Sequence, residues 1–420
     1  MSVHVGIDIG TTSAKICAKR DDEILFESKQ PYNFTNPTNG LQDPQVILST
    51  TLSLLSTTES LLSSKNLKIS EIWTCGQMHG IVFWNQQSTV TSPLYNWTYS
   101  NPNLSKFLEG TLPKWSLGQV HPGFGLGTLA FLNHTESENL KNFNRCGTIM
   151  DLFLSHLTDS PDIPISHHNA HSWGYCTSDA TWQKDILDFL PRWIQLPTVT
   201  RDTSQVVGTW HGAKCHVASG DLQASVASLE SYEDTAYLIL GTSAQLCCLI
   251  PSDSLPTTVP PTVVQLPYST EKKLIAACAM NGGNALEAVL KNFSKPSNSE
   301  NLANLLGELN KKPQILPSDL KIDPIFIPER GISKELEISG LSPTTTDLQI
   351  LEATHLGIIQ NLFSLFPISL LKSLGIKNLA LVGSAQCPRF RRHIEATSEG
   401  NFQFLTPKSE ISTPLGATRF

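Results

Sequence analysis

The sequence predicts a soluble, intracellular α/β protein built from two similar halves. Its 420 residues are 40% hydrophobic and 16% charged, which excludes a mainly disordered chain or a coiled coil. Short strand-like runs alternate with helical patterns, and the order of elements in the first half returns in the second. The longest apolar stretch, 236–250, is interrupted by GTSAQ and is too short to cross a bilayer.

Charge and cysteine usage limit the class of function. Lys and Arg number 30 against 37 Asp and Glu, so the formal net charge is −7 and the basic footprint of a nucleic-acid-binding protein is absent. The nine cysteines contain no CxxC pair, which is typical of reduced thiols and not of a disulfide framework or a zinc site. The N-terminus does not resemble a signal peptide. We therefore expect a cytoplasmic protein that binds neither nucleic acid nor membrane.

The first half has the pattern of three strands, a helix and further strands. Strands are predicted over 4–9, 15–19, 23–27, 71–75 and 81–84. Four leucines at steps of four, three and seven predict a helix with one buried stripe: Leu48, Leu52, Leu55 and Leu62. The polar region from about 88 to 210 shows no clear pattern.

The second half repeats this opening. Strands are predicted over 236–240, 245–250 and 273–279, and the prolines of 251–267 predict a loop. The segment GTTSA at 10–14 overlays on GTSAQ at 241–245, with an apolar strand before and after each turn. The repeat predicts a duplicated fold with two lobes and a cleft in which small ligands bind. Chance similarity of two hairpins is the alternative.

A carboxylate and a Gly-Thr-Thr turn end the first strand. Glycine lets backbone N–H groups approach a phosphate closely, and the hydroxyls of Thr11 and Thr12 add donors. Asp8 beside them is suited to Mg²⁺, directly or through water. The alternative is an ordinary hairpin turn with Asp8 in solvent. The second Gly-Thr-Ser turn favours the functional interpretation, because two phosphate turns suit a triphosphate.

Two later glycine-containing segments share one design. Asn281–Asn284 (NGGN) follows an apolar strand and opens a helix, whose N-terminus offers free N–H groups to a phosphate. An ordinary strand-to-helix turn explains this segment equally well. Leu379–Ala385 (LALVGSA) is again an apolar strand that ends in small residues, which would let a nucleobase or ribose approach the backbone.

Three further segments carry polar side chains suited to a site. Asp221 precedes a helical pattern and is either its N-cap, which the residue types alone favour, or a general base. Gly76–Gly80 (GQMHG) offers donors and acceptors to sugar hydroxyls, although a strand-end turn is the simpler interpretation. His167-His168-x-x-His171 suggests zinc, but no nearby carboxylate or cysteine completes a site and we set zinc aside.

Taken in order, these motifs resemble those of the FGGY carbohydrate kinases over nearly the whole chain. The matching segments are DIGTTSAK at 8–15, GQMHG at 76–80, NAHSWGY at 169–175, GDLQAS at 220–225, GTS at 241–243, NGGN at 281–284 and GSA at 383–385. The resemblance implies a two-lobed, actin-like (ribonuclease H-like) α/β fold, with duplicated βββαβα half-domains around an interdomain cleft. It also implies a sugar-binding lobe over 1–224 and a nucleotide-binding lobe over 225–420.

The resemblance implies roles for individual residues. Asp221 is expected to be the catalytic base, a role compatible with a helix cap, and Asp8 the carboxylate on the Mg²⁺ side. The residues expected at the phosphates and the nucleotide are Gly10, Thr11, Thr12, Gly241, Thr242, Ser243, Gly282, Gly283, Gly383 and Ser384. The residues expected at the sugar are Gln77, Met78, His79 and Asn169. ATP and Mg²⁺ are the implied cofactors.

The chain departs from the family pattern at three places. Trp97–Asn101 (WTYSN) stands where relatives carry Trp-x-Asp-x-Arg, His167-His168 replaces an acidic–polar pair, and the C-terminal helix is cut short after Ala417. The leading interpretation is an ATP-dependent kinase for the terminal hydroxyl of a seven-carbon ketose. The alternatives are a kinase for xylulose or another polyol, a catalytically weak sugar- or nucleotide-binding protein, and an actin- or chaperone-like ATPase.

Overall fold

The chain divides into two compact units. A computed structural model describes residues 2–34, 39–85, 90–229, 231–254, 259–293, 299–407 and 411–420. The first unit comprises Met1–Leu229 with Ile411–Phe420, and the second comprises Glu230–Glu410. The division therefore falls a few residues after the expected one at 224, and the C-terminal segment packs with the first unit.

The first unit contains most of the irregular polar region. Its strands are β1 Ser2–Ile9, β2 Ser13–Arg20, β3 Glu23–Pro31, β4 Leu41–Gln42, β5 Lys68–Gly76, β6 Val82–Trp84, β7 Leu94–Tyr95, β8 Arg145–Gly147, β9 Ile165–Ser166, β10 Val199–Thr200, β11 Val206–Trp210, β12 Ala213–His216 and β13 Ser219–Gly220. Its α-helices are α1 Pro44–Ser64, α2 Leu104–Gly110, α3 Gly125–Leu140, α4 Ile149–Thr158, α5 His167–Ser172 and α6 Asp221–Ser228. A 3₁₀ helix spans Lys184–Phe189.

The second unit has longer helices. Its strands are β14 Thr235–Leu240, β15 Ala244–Pro251, β16 Val264–Pro267, β17 Lys272–Ala279, β18 Lys321–Asp323, β19 Glu337–Ser339, β20 Asn378–Gly383 and β21 Gln403–Leu405. Its α-helices are α7 Gly283–Phe293, α8 Ser299–Lys311, α9 Asp347–Leu365, α10 Ile368–Ser373 and α11 Pro388–Ser398. A 3₁₀ helix spans Ser384–Gln386, and the last helix of the chain, α12 Thr413–Ala417, lies in the first unit.

The two main sheets have the same topology at their centres. In the first, the order is β11-β12-β5-β1-β2-β3, with β1, β2 and β3 antiparallel and β5 parallel to β1. In the second, the order is β16-β17-β15-β14-β20-β21, with β17, β15 and β14 antiparallel and β20 parallel to β14. The predicted internal repeat is therefore real, and chance similarity is wrong.

Two details of the predicted repeat are wrong. Val264–Pro267 forms an edge strand on β17, where a loop was expected; an edge strand tolerates proline because its outer side needs no ladder hydrogen bond. The two turns also differ by one residue. Ala14 pairs with Ile9 across the first hairpin, whereas Ala244 pairs with Leu240 across the second, so the overlay shifts after the Gly-Thr step.

The core of the first unit lies on both faces of its sheet. Of the four leucines predicted to form the buried stripe of α1, Leu48, Leu55 and Leu62 are buried and Leu52 is half-buried. On β1, Gly6 allows a close backbone approach, because a Cβ there would lie 1.8 Å from the carbonyl oxygen of Pro414 in α12. None of the nine cysteines forms a disulfide. Among the described residues, no helix combines the length and apolar character that a membrane crossing requires.

Candidate active site

Three parallel strands end together at one edge of the first sheet. The last residues of β1 and β13 both pair with Gly76, the last residue of β5. Asp8 lies next to the end of β1, Gln77 directly follows β5, and Asp221 directly follows β13. Ligands of open α/β sheets bind at the carboxyl ends of strands. The structure thus brings three predicted site residues of the first unit together.

Asp8 forms an ion pair inside the first hairpin. It faces Lys15 in the register of β1 and β2, and Lys15 Nζ lies 2.9 Å from Asp8 Oδ2. Asp8 is only 3% exposed, and burial raises its pKa although the Lys15 charge opposes this. Its other oxygen, Oδ1, accepts no hydrogen bond from the described residues. Lys15 received no role in the sequence analysis, although its place opposite Asp8 across a tight turn was the available signal.

Asp221 is the first residue of α6, and its expected role as N-cap is wrong. The cap position is Gly220, which has extended backbone angles, and Asp221 Oδ1 accepts a 2.8 Å hydrogen bond from the backbone N–H of Leu222. Burial and, to a smaller extent, the negative charge of Asp8 raise the pKa of Asp221 to about 7, although the Lys15 charge opposes this. A half-buried carboxyl with a pKa near neutrality is suited to general base catalysis.

The Gly10–Thr12 turn is held by two side chains from outside the predicted motifs. Trp97 Nε1 donates to Thr11 Oγ1 at 2.9 Å, and Gln42 Nε2 donates to the Thr11 carbonyl at 2.7 Å. Thr12 is exposed at the tip of the turn. The WTYSN segment, which is expected to depart from the family pattern, therefore supplies a contact to the turn through its tryptophan.

The GQMHG segment forms a compact loop after β5. Gln77 is 1% exposed, its N–H donates to the Ile9 carbonyl at 3.0 Å, and its Oε1 accepts no hydrogen bond from any described residue. Met78 is buried and packs beneath Gly220, where a Cβ would lie 2.7 Å from its sulfur. His79 has a φ of 74° and Nδ1 lies 2.7 Å from the Ser172 carbonyl, so Nδ1 carries the proton and donates.

Asn169 is fully buried on α5 and lies beside the strand that leads to Asp221. Its Nδ2 donates to the Ala218 carbonyl at 3.1 Å, two residues before Gly220, and its Oδ1 accepts no hydrogen bond within the described ranges. Ser166 caps the helix by accepting from the Asn169 N–H. Asn169 thus presents an unsatisfied acceptor, as Gln77 and Asp8 do.

The second unit brings its own predicted glycines together. The N–H of Gly283 donates to the Gly241 carbonyl at 2.9 Å, and the N–H of Asn284 donates to the Thr242 carbonyl at 3.1 Å. Gly282 packs on the same turn, since a Cβ on it would lie 2.5 Å from the carbonyl carbon of Ser243. The backbone of NGGN is therefore docked directly onto the second Gly-Thr-Ser turn.

A cavity of about 140 Å³ opens beside these glycines. Gly383 has a φ of 64°, and the chain turns there so that Ser384 lies in the cavity wall. The lining residues are Leu240, Gly241, Gly283, Leu286, Glu287, Leu302, Leu306, Ser384, Arg389 and Phe390. Apolar walls with a few polar groups are typical of a site for a flat ring. Sequence analysis missed the contribution of α8, although Leu302, Leu306 and Leu309 have helical spacing.

A buried ion pair supports two walls of this cavity. Arg392 of α11 donates to both carboxylate oxygens of Glu352 in α9, at 3.1 and 2.6 Å, and donates to the Leu309 carbonyl at the end of α8 at 3.1 Å. His393 Nε2 lies 3.1 Å from the same carboxylate. These contacts lower the pKa of Glu352 to about 2 despite its burial. The network therefore ties α8 and α11, which both line the cavity, to α9.

The histidines of α5 serve packing contacts. His171 lies edge-on against Trp115, with ring centroids 4.8 Å apart, and His168 lies near Phe420 at 5.2 Å. In the part of the chain that the structure describes, no three His, Cys, Asp or Glu side chains are arranged to hold a metal ion.

Comparison with known proteins places these geometries in context. The chain is 29% identical to human sedoheptulokinase and 28% identical to mouse sedoheptulokinase, over 91% of this chain and 90% of each relative. No family model matches the chain. Its structure is similar to that of a ligand-bound xylulose kinase from Lactobacillus acidophilus (TM-score 0.80, 16% identity, covering 100% of this chain and 88% of that one).

A second solved structure extends the similarity to a nucleotide complex. The structure is also similar to that of Plasmodium falciparum glycerol kinase with ADP (TM-score 0.79, 16% identity, covering 99% of this chain and 88% of that one). The predicted fold class, the two-domain actin-like ATPase type, is thereby confirmed.

Proposed function

We propose that this carbohydrate kinase, which resembles the FGGY kinases in sequence and fold, transfers the γ-phosphoryl group of ATP to the terminal hydroxyl of sedoheptulose. The similarity to two sedoheptulokinases over most of the chain supports the choice of sugar. One structural observation carries the chemistry. Asp221, whose pKa is about 7, lies at the same sheet edge as the buried and unsatisfied amide oxygen of Gln77, among the described residues.

The unsatisfied acceptors support a polyol as the substrate. Buried acceptors without donors cost about 1–3 kcal/mol each, so natural sites keep them for ligands that supply the missing donors. Gln77 Oε1 and Asn169 Oδ1 are both of this kind within the described ranges, and a ketose offers a hydroxyl on nearly every carbon.

Asp221 is proposed to act as the general base. As the hydroxyl oxygen bonds to the γ-phosphorus, the carboxylate takes its proton, and the bond between the γ-phosphorus and the bridging oxygen of ADP breaks. The proton then passes from Asp221 to solvent. Lys15, paired with Asp8 at 2.9 Å, keeps positive charge beside Asp221 and favours the ionised form of the base. Backbone N–H groups of the Gly10–Thr12 turn are proposed to face the phosphates.

The cofactors implied by the resemblance fit the residues of each unit. In the first unit, Asp8 Oδ1 is a buried carboxylate oxygen that accepts no hydrogen bond from described residues, which suits Mg²⁺ or one of its water ligands. When bound, Mg²⁺ supplies positive charge that neutralises phosphate oxygens. In the second unit, the cavity lined by Gly241, Gly283 and Ser384 suits the nucleotide. The other residues expected at the nucleotide adjoin these three in the chain: Thr242, Ser243, Gly282 and Gly383.

A cytoplasmic location and the absence of nucleic-acid and membrane partners are part of the proposal. Nine cysteines that form no disulfide suit a reducing compartment, and the net charge of −7 disfavours a phosphate backbone as partner.

The test is ATP consumption by the purified protein with sedoheptulose, xylulose, ribulose, glycerol or no sugar. The highest kcat/KM with sedoheptulose is the expected result. Preference for xylulose would overturn the choice of sugar and retain the kinase. Turnover that does not depend on sugar would indicate an ATPase, and thermal stabilisation by sugar without turnover would indicate a binding protein.

A further inference from the structure

Gln42 lies outside every motif of the sequence analysis and contacts two of them. It ends the two-residue strand β4, which pairs with β7, and its side chain is 7% exposed. Its Nε2 donates to the Thr11 carbonyl at 2.7 Å, and its Oε1 accepts from Gln77 Nε2 at 3.1 Å. One buried amide therefore joins the turn expected at the phosphates to the loop expected at the sugar.

These two hydrogen bonds determine how Gln77 is oriented. A primary amide has one oxygen that accepts and one nitrogen that donates. Because the Thr11 carbonyl can only accept, Gln42 must direct its nitrogen to Thr11 and its oxygen to Gln77. Gln77 must then direct its nitrogen to Gln42, where the Gly10 carbonyl also lies 3.4 Å away. The oxygen of Gln77 is left facing away from both.

This buried oxygen, which lacks a donor among the described residues, has the properties of a ligand contact. Gln77 is 1% exposed, and its Oε1 accepts no hydrogen bond from the described part of the chain. If the Gln77 amide rotated by half a turn, it would offer N–H groups in place of this acceptor. Its oxygen would then face Gln42 Oε1, so that two acceptors would lie against each other. The Thr11 carbonyl therefore selects, through Gln42, an acceptor at Gln77.

We propose that Gln42 is a positioning residue: it holds Gln77 Oε1 as the acceptor for a hydroxyl of the ketose and keeps the Gly10–Thr12 turn in register with it. This rests on the proposed function for the identity of the alcohol. We call the hydrogen-bonded chain from the Thr11 carbonyl through Gln42 to Gln77 the relay. It favours a substrate with a hydroxyl that donates to Gln77 Oε1, because a ligand that offers only an acceptor at this position would face another acceptor.

The test is a double-mutant cycle of Gln42→Met and Gln77→Met, with Gln45→Met as the matched control. Methionine keeps the length of glutamine and removes its hydrogen bonds. Gln45 lies on the same segment but is exposed, and its Nε2 contacts Thr91 at 3.3 Å. We expect Gln42→Met to raise the KM for the ketose about tenfold, Gln45→Met to leave it within twofold, and Gln42→Met to add less than threefold when Gln77 is already methionine.

Melting temperature and the KM for ATP separate positioning from folding. A structural role alone would lower the melting temperature and leave the ketose KM of the folded protein unchanged, which would overturn the proposal. Additive effects of the two substitutions would also overturn it. If Gln42→Met does not fold, Gln42→Glu replaces it: protonated glutamic acid donates to Thr11 and accepts from Gln77, so its ketose KM should approach the wild-type value as pH falls. If the ratio of the ketose KM of Gln42→Glu to that of the wild type does not change with pH, the relay is contradicted.

The failure of the relay is distinguishable from the failure of the proposed function. Wild-type turnover of a ketose with an unchanged KM in Gln42→Met overturns the relay alone. Absence of wild-type turnover with every ketose overturns the proposed function, and the affinity for sedoheptulose in titration calorimetry then decides the relay. Equal affinity in wild type and Gln42→Met, or none in either, overturns it; weaker affinity in the variant supports it.

Discussion

The two units share one hairpin and differ in the charge that it carries. In the first unit, Asp8 pairs with Lys15 across the hairpin. This pair is adjacent to Ile9 and Ala14, which face each other at the two ends of the turn. In the second unit, Ile239 and Gln245 occupy the same register. The hairpin is thus a common scaffold, and in the first unit it carries the ion pair whose charges act on the proposed base, Asp221.

The turns also differ in what holds them. Two side chains from distant segments support the first turn, because Gln42 and Trp97 both donate to Thr11. The distant support of the second turn comes from backbone, because the N–H groups of Gly283 and Asn284 donate to its carbonyls, and Gln245 within the same hairpin adds one side-chain hydrogen bond to Ser243 Oγ. We infer that substitutions of long polar side chains damage the first site, and that added side-chain volume on glycine damages the second.

The largest effect is expected for Asp221→Asn. An amide cannot accept the hydroxyl proton, so kcat should fall by about 10²–10⁴. ATP affinity, measured by titration calorimetry, should change little. Asp253→Asn, at an exposed carboxylate of the second unit, is the control and should retain full activity. A variant at 221 that keeps most of its turnover would refute the role of this residue.

The charged pair is tested by Lys15→Met against Gln245→Met, its counterpart by register. Removal of Lys15 leaves Asp8 without its 2.9 Å partner and removes positive charge beside Asp221, so kcat/KM should fall by about 10²-fold. Gln245→Met should stay within about threefold of wild type. Equal losses in the two variants would show that the hairpins are not specialised in this way.

The pH dependence of kcat/KM should report the first unit. Asp221 must be ionised to accept a proton, and its pKa is about 7, so activity should fall about tenfold per pH unit below that value. In Asp8→Asn, loss of the neighbouring negative charge should lower the pKa of Asp221 and move this acidic limb to lower pH. A wild-type limb near pH 4 would contradict the raised pKa.

The smallest effect is expected for Gly282→Ala, measured by the KM for ATP. The added Cβ would lie 2.5 Å from the backbone of Ser243, so the turn must shift, at a cost of about 1–3 kcal/mol. The KM should rise about tenfold. Gly307→Ala, inside α8, is the control, since an added Cβ there would have no described heavy atom within 4 Å, and it should bind ATP normally. Equal effects would contradict a backbone-held turn.

Much of the candidate site could be predicted because its members lie in short local motifs. Asp8, Gly76 and Gly220 all stand at strand ends, and strand ends are visible in one sequence from apolar runs and turn residues. Lys15 was within one of these motifs, yet its ion pair depends on hairpin register. Gln42 gave no local signal, because its importance comes from two contacts with residues 31 and 35 positions away.

The order of apolar runs and glycine turns determined the fold class and the internal repeat, since alternation and turn chemistry are properties of neighbouring residues. The tertiary structure decided which side chains remain unsatisfied. Gln77 and Asn169 are ordinary amides until burial removes water from them and the surrounding contacts, over the described residues, use their nitrogens and leave their oxygens. Burial and long-range hydrogen bonding exist only after the chain has folded, and for that reason no local pattern records them.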